Sequence, residues 1–227
     1  YKIYDNKRSD FMVYIITGGP ATGKGTRSDI LAKALDIAHI STGDMLREVA
    51  KTNEDIKNRL AKGELISDEI ITNLLRERLQ QEDCKKGFIL DGYPRTLSQI
   101  HLLNDLLNEL GRKIDKVIEL TAPDELVFKR ILERKRCEKC GKMYGIDFPP
   151  KVDDVCDDCG GPLFVRTDDT KETLKARIDT YKKNSKDILE YYKNEGLLKT
   201  VDSSAHPEEI VKQALEDYKN YYDKATA

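Results

Sequence analysis

The sequence predicts an α/β fold, with a parallel sheet covered by helices on both faces. Two observations support this. First, buried strand patterns at residues 13–17, 87–91 and 116–120 alternate with helical patterns, as expected when helices connect parallel strands. Second, the first strand breaks into a glycine-rich turn, and a helical pattern follows from Lys24 to Leu35.

The turn after the first strand has the spacing of a P-loop, Gly18-x4-Gly23-Lys24. In such a loop successive backbone N–H groups point into one concavity and the helix N-terminus adds positive potential, so phosphate oxygens bind there. Lys24 is expected to reach the outer phosphates. The alternative is a glycine-rich turn with a solvated lysine, but the strand before the motif and the helix after it favour a P-loop.

The remaining patterns predict one domain over residues 12–227, preceded by an N-terminal extension at 1–11, because Met12 directly precedes the first strand. A helical insertion is expected near 41–70. Cysteines, prolines and paired glycines break the rhythm at 137–166, which indicates a small inserted subdomain. Helices are predicted at 42–60, 69–79, 97–110, 123–135, 171–192 and 207–222, and further short strands at 38–41 and 197–202.

Composition limits the classes of function. The chain of 227 residues is 35% charged and 39% hydrophobic, with a net charge of -2, so it has no general attraction to nucleic acid or anionic lipid. No apolar run approaches the ~20 residues of a membrane span, and residues 1–10 do not resemble a signal peptide. We therefore expect a cytoplasmic protein that does not bind a membrane.

Four cysteines have the spacing of a zinc ribbon, Cys137-x2-Cys140-x15-Cys156-x2-Cys159. Four thiolates close a tetrahedral shell around Zn²⁺, which indicates a structural metal. Two disulfides are the alternative, disfavoured in an intracellular chain. A ribbon that binds nucleic acid is also conceivable, but the acidic balance of residues 137–166 argues against it. Cys84 is interpreted as incidental.

After Lys24 the order of residues changes the interpretation of the loop. Gly25 follows the lysine and the hydroxyl comes only at Thr26, which is the order found in nucleoside monophosphate kinases. From Met12 to about residue 218 the chain resembles the adenylate kinase family. The family loop reads roughly G-x-P-G-x-G-K-G-T-Q, so Ala21 replaces a glycine and Arg27 a glutamine. An alanine adopts positive φ only at a cost, so these departures bear on the loop's geometry.

The resemblance implies a P-loop NTPase-type fold with a helical acceptor-binding insertion and a zinc-bearing lid. It implies reversible, magnesium-dependent transfer of a phosphoryl group from ATP to AMP, giving two ADP, by an enzyme expected to be monomeric. Implied partners are these nucleotides and no nucleic acid. The alternatives are a UMP/CMP kinase of the same fold and a nucleotide-dependent zinc-ribbon binding module. In a binding module, Arg134, Arg166 and Arg177 would face solvent instead of converging on one phosphate.

On the donor side, the resemblance assigns phosphate contacts to the loop and backbone contacts to the lid and to the chain after the last strand. Arg130 and Arg134 are predicted one helical turn apart on one face. Alone, each arginine is more often a solvated surface charge. The implied ATP-binding residues are Ala21, Thr22, Gly23, Lys24, Gly25, Thr26, Arg134, Met143, Tyr144 and Ala205. The implied catalytic residues are Lys24, Asp91, Arg95, Arg130, Arg134, Arg166 and Arg177.

Asp91 ends a strand beside the loop, where it is placed to hold Mg²⁺ through water; capping of the next turn is the alternative. On the acceptor side, the amide of Gln99 can donate and accept at once, which suits an adenine edge, although an exposed helical glutamine is the simpler reading. Thr42 favours AMP, since uridylate and cytidylate kinases usually have alanine there. The implied AMP-binding residues are Thr42, Arg47, Glu64, Leu65, Ile66, Gly92, Tyr93, Pro94, Arg95, Gln99, Arg166 and Arg177.

Overall fold

A computed structural model describes residues 11–166, 169–208, 211–212 and 215–216. Its centre is a five-stranded sheet in the order β2-β3-β1-β4-β8, in which every neighbouring pair is parallel. A second, three-stranded sheet has the order β6-β5-β7 and is antiparallel. The strands are β1 (Met12–Gly18), β2 (Ala38–Ser41), β3 (Gly87–Asp91), β4 (Lys116–Thr121), β5 (Lys135–Cys137), β6 (Met143–Tyr144), β7 (Leu163–Phe164) and β8 (Leu198–Asp202).

Helices connect the strands of the main sheet, as predicted. They are α1 (Lys24–Leu35), α2 (Thr42–Val49), α3 (Glu54–Lys62), α4 (Asp68–Leu79), α5 (Leu97–Glu109), α6 (Asp124–Leu132) and α7 (Lys171–Asn194). Residues 207–208, 211–212 and 215–216 are also helical, whereas positions 209–210, 213–214 and 217–222 of the predicted last helix lie outside the described residues. None of the described helices has the length and apolar character needed to cross a bilayer.

The core lies on both faces of the main sheet. Along β1, Val13 and Ile15 pack into one apolar cluster, and Tyr14 and Ile16 pack into the other, because side chains alternate between the faces of a strand. Because helices cover both faces, the carboxyl ends of the parallel strands are the part of the sheet that remains open. The loops that follow β1, β3 and β4 therefore meet at one end of the molecule.

Two predicted helices have different boundaries in the structure. The helix expected over residues 42–60 is divided in two, because the side chain of Asn53 accepts a hydrogen bond from Ile56 N (3.1 Å) and begins α3. The helix expected to reach residue 135 ends at Leu132. The next residues enter β5, which is paired on both sides, so strand pairing overrides the helical pattern there.

The predicted N-terminal extension is one residue too long. The Phe11 ring packs edge-on against Phe88, with ring centroids 5.6 Å apart, and the Arg112 guanidinium lies 3.4 Å from its centroid. Phe11 therefore belongs to the folded domain, while residues 1–10 lie outside the described part of the chain.

Helix α5 offers a matched test of this core. Leu103 is 0% exposed and Leu97, in the same helix, is 41% exposed. We expect Leu103→Ala to lower the free energy of unfolding by about 2–5 kcal/mol through lost burial and a residual cavity. Leu97→Ala should change it by less than about 1 kcal/mol. Chemical denaturation of both variants measures the difference, and equal losses would contradict the assigned core.

Candidate active site

A cleft of about 770 Å³ opens at the carboxyl ends of the parallel strands. The phosphate loop forms its floor, α2–α4 form one wall, and the lid of residues 137–166 covers it. The cleft therefore lies at the edge of the sheet where ligands bind in open α/β folds. Nearly all the residues implied for ATP and AMP line it; Thr22 and Ala205 do not.

The loop after β1 has the backbone geometry of an anion cradle. Gly23 has φ 82°, and Ala21 has φ 54°, so the alanine does occupy the left-handed conformation that costs a side chain roughly 1–2 kcal/mol. Thr22 is buried and its hydroxyl donates to Gly19 O (2.9 Å). Thr22 thus supports the loop through its side chain.

Lys24 extends back across this loop. Its ammonium group donates to the carbonyls of Gly18 (3.0 Å) and Gly19 (2.6 Å). Its position at the bottom of the cleft removes it from bulk water and lowers its pKa to about 8, an effect that Asp91 opposes and nearby arginines reinforce. A lysine held at this point supplies positive charge that a phosphate would stabilise.

Three arginines predicted to bind phosphate share the cleft, with side chains only 11–20% exposed. Asp169 is the first counter-ion: its fully buried carboxylate accepts from Arg134 Nε (2.7 Å) and lies 3.7 Å from Arg177 Nη1. Arg134 and Arg177, 43 positions apart in the sequence, are thereby brought to one place. This convergence argues against the binding-module alternative.

Asp44 is the second counter-ion, and it connects the acceptor-side wall with the lid. Its carboxylate pairs with Arg47 in α2, with Arg136 of β5 (2.8 Å) and with Arg166 at the lid's end (3.6 Å). Burial alone would raise the pKa of Asp44, but the three guanidinium groups outweigh it and lower that pKa. Burial and the neighbouring Arg47 also lower the pKa of Arg166.

Arg130 differs from the other arginines, and the prediction that it shares a helical face with Arg134 is wrong. Arg134 lies beyond the end of α6, in the connection to β5. Arg130, 7% exposed, turns away and donates to Ser203 O (2.8 Å) and pairs with Asp147 (3.0 Å). Its position places it beside the segment that contains Ala205 and away from Asp169.

Gln99 is 3% exposed, so it is not an ordinary surface glutamine. Its Oε1 accepts from Arg95 N (2.7 Å) and its Nε2 donates to Asp68 (2.8 Å). The hydroxyl of Thr42 likewise donates to Asp91 O (3.1 Å). These side chains hold the turn after β3 in place, and each retains further hydrogen-bonding capacity toward the cleft.

Asp91 fits a role in holding magnesium. It is 8% exposed, and a Cβ at Gly25 would lie 3.4 Å from its Oδ2, so the glycine after Lys24 allows a close approach of loop and carboxylate. His39 Nε2 is 3.5 Å from the same oxygen. An acid beside the phosphate loop offers the oxygen ligands that Mg²⁺ prefers.

The four lid cysteines form a metal-sized cluster. Their sulfurs all lie within 4.8 Å of one another, close to the ~3.8 Å edge of a tetrahedron with Zn–S bonds of about 2.3 Å. The shortest pairs, 3.4 and 3.5 Å, are far longer than an S–S bond, which contradicts the disulfide alternative. The hydroxyl of Tyr144 donates to Cys156 Sγ (3.3 Å) and lowers the pKa of that thiol to about 6, which favours the thiolate that zinc requires.

Several site residues escaped the sequence analysis. Asp44, Asp147 and Asp169 look like ordinary acids in the sequence, and Arg136 looks like a solvated base. Their roles come from pairing across 17 to 92 positions. Arg27 was noted only as a departure from a motif. The available signal for Arg27 was its place on a helix face that the sequence pattern predicts to be buried.

The pKa of Lys24 gives a test by pH. We expect the affinity for magnesium–ATP to fall at least about tenfold between pH 7 and 9.5, because the free ammonium group loses its proton near pH 8 and bound phosphate retains it. Calorimetric titration across this range measures it. Lys24→Met is the control: it should bind weakly at pH 7 and show a much flatter profile. An identical pH dependence in both proteins would contradict the assignment.

Comparison with known proteins identifies the family of this cleft. The family model described as adenylate kinase matches residues 16–197. A protein of Archaeoglobus fulgidus named adenylate kinase is 46% identical over 207 residues, covering 89% of this chain and 95% of that protein. Adenylate kinases of Staphylococcus epidermidis and Caldicellulosiruptor saccharolyticus are 43% and 42% identical, each covering 90% of this chain and 98% and 97% of their own lengths.

Proposed function

The chain belongs to the adenylate kinase family and is a nucleoside monophosphate kinase, and on that premise we propose how its cleft transfers a phosphoryl group from ATP to AMP. The observation that supports the proposal is the convergence of Lys24 with Arg134, Arg166 and Arg177 on one cleft. Seven of the implied positive groups line this cleft, whereas Glu64 and Asp91 are the two implied carboxylates there. A cleft of that charge suits two nucleotides with facing phosphates.

In this proposal the protein aligns and neutralises its substrates. The phosphate of AMP is already an anionic nucleophile, so the transfer needs no general base and no covalent enzyme intermediate. Lys24 and Arg134 bind the donor phosphates, and Arg47, Arg95 and Arg177 bind the acceptor phosphate. Arg166 contacts the transferring group, whose charge spreads over peripheral oxygens that guanidinium groups clamp well. Alignment of this kind accounts for a large part of the barrier lowering.

Closure of the lid excludes water, which would otherwise accept the phosphoryl group. Asp91 would hold magnesium through water beside the loop, and the ion supplies charge neutralisation at the donor phosphates. Cys137, Cys140, Cys156 and Cys159 would hold zinc, which supplies rigidity to the lid. Reduced thiols of this kind fit a cytoplasmic enzyme, and a cleft built from one chain fits a monomer.

An assay of ATP with each of several nucleoside monophosphate acceptors tests the function most directly. We expect AMP to be preferred over UMP, CMP and GMP by tenfold or more in kcat/KM, because a buried polar mismatch at the acceptor base costs about 1–3 kcal/mol. Products of ATP with each monophosphate are separated and quantified. A higher specificity constant for UMP or CMP would favour the uridylate/cytidylate kinase alternative while leaving phosphoryl transfer intact.

Zinc removal tests the lid. The lid has few large apolar side chains, and one small buried cluster of Cys137, Tyr144, Cys156 and Leu163, too few to offset the entropy of ordering ~30 residues without a cross-link. Metal extraction, or Cys156→Ser with Cys159→Ser, should lower the lid's unfolding temperature and the activity at high temperature while the main sheet stays folded. Some activity should survive in the cold.

Zinc content, thermal unfolding and activity are measured in parallel on the same samples. Cys84→Ser is the matched control, since this buried thiol lies outside the cluster. Complete loss of activity in metal-free protein whose lid remains folded would mean that the ion is catalytic and would overturn the structural role.

A further inference from the structure

Arg27 lies outside the phosphate cluster and yet is only 2% exposed. Its Nη2 donates to the carbonyls of Ser203 (2.8 Å) and Ala205 (3.0 Å), and its Nη1 to that of Gly23 (3.4 Å). A Cβ at Gly23 would lie 2.0 Å from Nη1, so the phosphate loop packs directly on this guanidinium. One side chain therefore connects the phosphate loop with the segment after β8.

A second arginine fixes the same segment. Arg130 donates to the carbonyl (2.8 Å) and the hydroxyl (3.2 Å) of Ser203, which is 0% exposed. Burial, and then repulsion by Arg130, lower the pKa of Arg27 to about 10. A buried cation is costly without hydrogen-bond acceptors, so the positions of these carbonyls and of Arg27 depend on each other.

The carbonyls of Ser203 and Ala205 differ in how many further hydrogen bonds they can accept. A carbonyl oxygen has two lone pairs. Ser203 O accepts from both Arg27 and Arg130 and is thereby filled, whereas within the described part of the chain Ala205 O accepts from Arg27 and has a second lone pair. That lone pair can accept from the 6-amino group of adenine, and it repels the 6-oxo group of guanine.

We propose that Arg27 is a positioning residue that sets the choice of donor base, by holding the Ala205 carbonyl where it accepts from a 6-aminopurine. The inference rests on the proposed contact between Ala205 and the adenine of ATP. Met has a side chain of similar reach but no N–H donor, so it cannot hold these carbonyls, whereas Lys retains the charge and part of the reach.

The test is the ratio of kcat/KM for ATP to that for GTP, with AMP saturating. In Arg27→Met we expect this ratio to fall about tenfold, through a higher KM for ATP with kcat changed less than about twofold. Arg27→Lys should give an intermediate ratio. Inhibition by inorganic tripolyphosphate, which has no base, should weaken less than the binding of ATP, and the affinity for AMP should be unchanged. Arg76→Gln, which breaks an exposed pair with Glu109, is the control and should keep the wild-type ratio.

Each contrary outcome has its own meaning. An unchanged ATP-to-GTP ratio in Arg27→Met, or equal losses for ATP, GTP and tripolyphosphate, would overturn the proposal and leave the proposed function standing. If the wild-type enzyme uses ATP and GTP equally, the proposed contact between Ala205 and adenine is wrong, and the proposal for Arg27 is overturned with it. If Arg27→Met does not fold, Arg27→Lys is the deciding variant, and a wild-type ratio in Arg27→Lys would count against the proposal.

Discussion

The structure depends on holding many like charges in one cleft. Lys24 and the arginines around it repel one another at distances where the interior provides little screening. Asp44 and Asp169 make this arrangement possible, because each carboxylate faces two or more guanidinium groups. The other positive groups line the cleft where nucleotide phosphates are expected. Burial, and then repulsion by the neighbouring arginines, lower the pKa of Lys24 to about 8.

The two acids also divide the work of the site between its parts. Asp169 joins Arg134, just before β5, to Arg177 in α7, so it holds these two arginines of the cleft near each other. Asp44 joins α2 to two arginines of the lid and its border. Acceptor wall and lid therefore share one carboxylate. An incoming phosphate competes with that carboxylate for the same donors, so binding and lid position are electrostatically linked.

Much of the fold follows from sequence pattern. Buried β-branched strands, the P-loop spacing and the paired cysteines have strong local signals, and the sheet, α1 and the cysteine cluster agree with them. The misplaced end of α6 has a different cause: β5 forms only because β6 and β7 are available, and such pairing has no local signature. The same limit hid Asp44 and Asp169, whose partners are distant in sequence. Arg27 was visible as a departure, but its partners, Ser203 and Ala205, lie 176 and 178 positions away.

The end of α6 at Leu132 has a mechanical consequence. Arg130 is anchored in the core by Ser203, while Arg134 leads directly into the first strand of the lid. Had one helix continued through both, the two guanidinium groups would move as a rigid pair. With the helix broken between them, Arg134 can turn with β5 while Arg130 stays on Ser203, and the pair between Arg130 and Asp147 of the lid then breaks. The arginine beside the Ala205 segment and the arginine beside Asp169 can therefore move independently of each other.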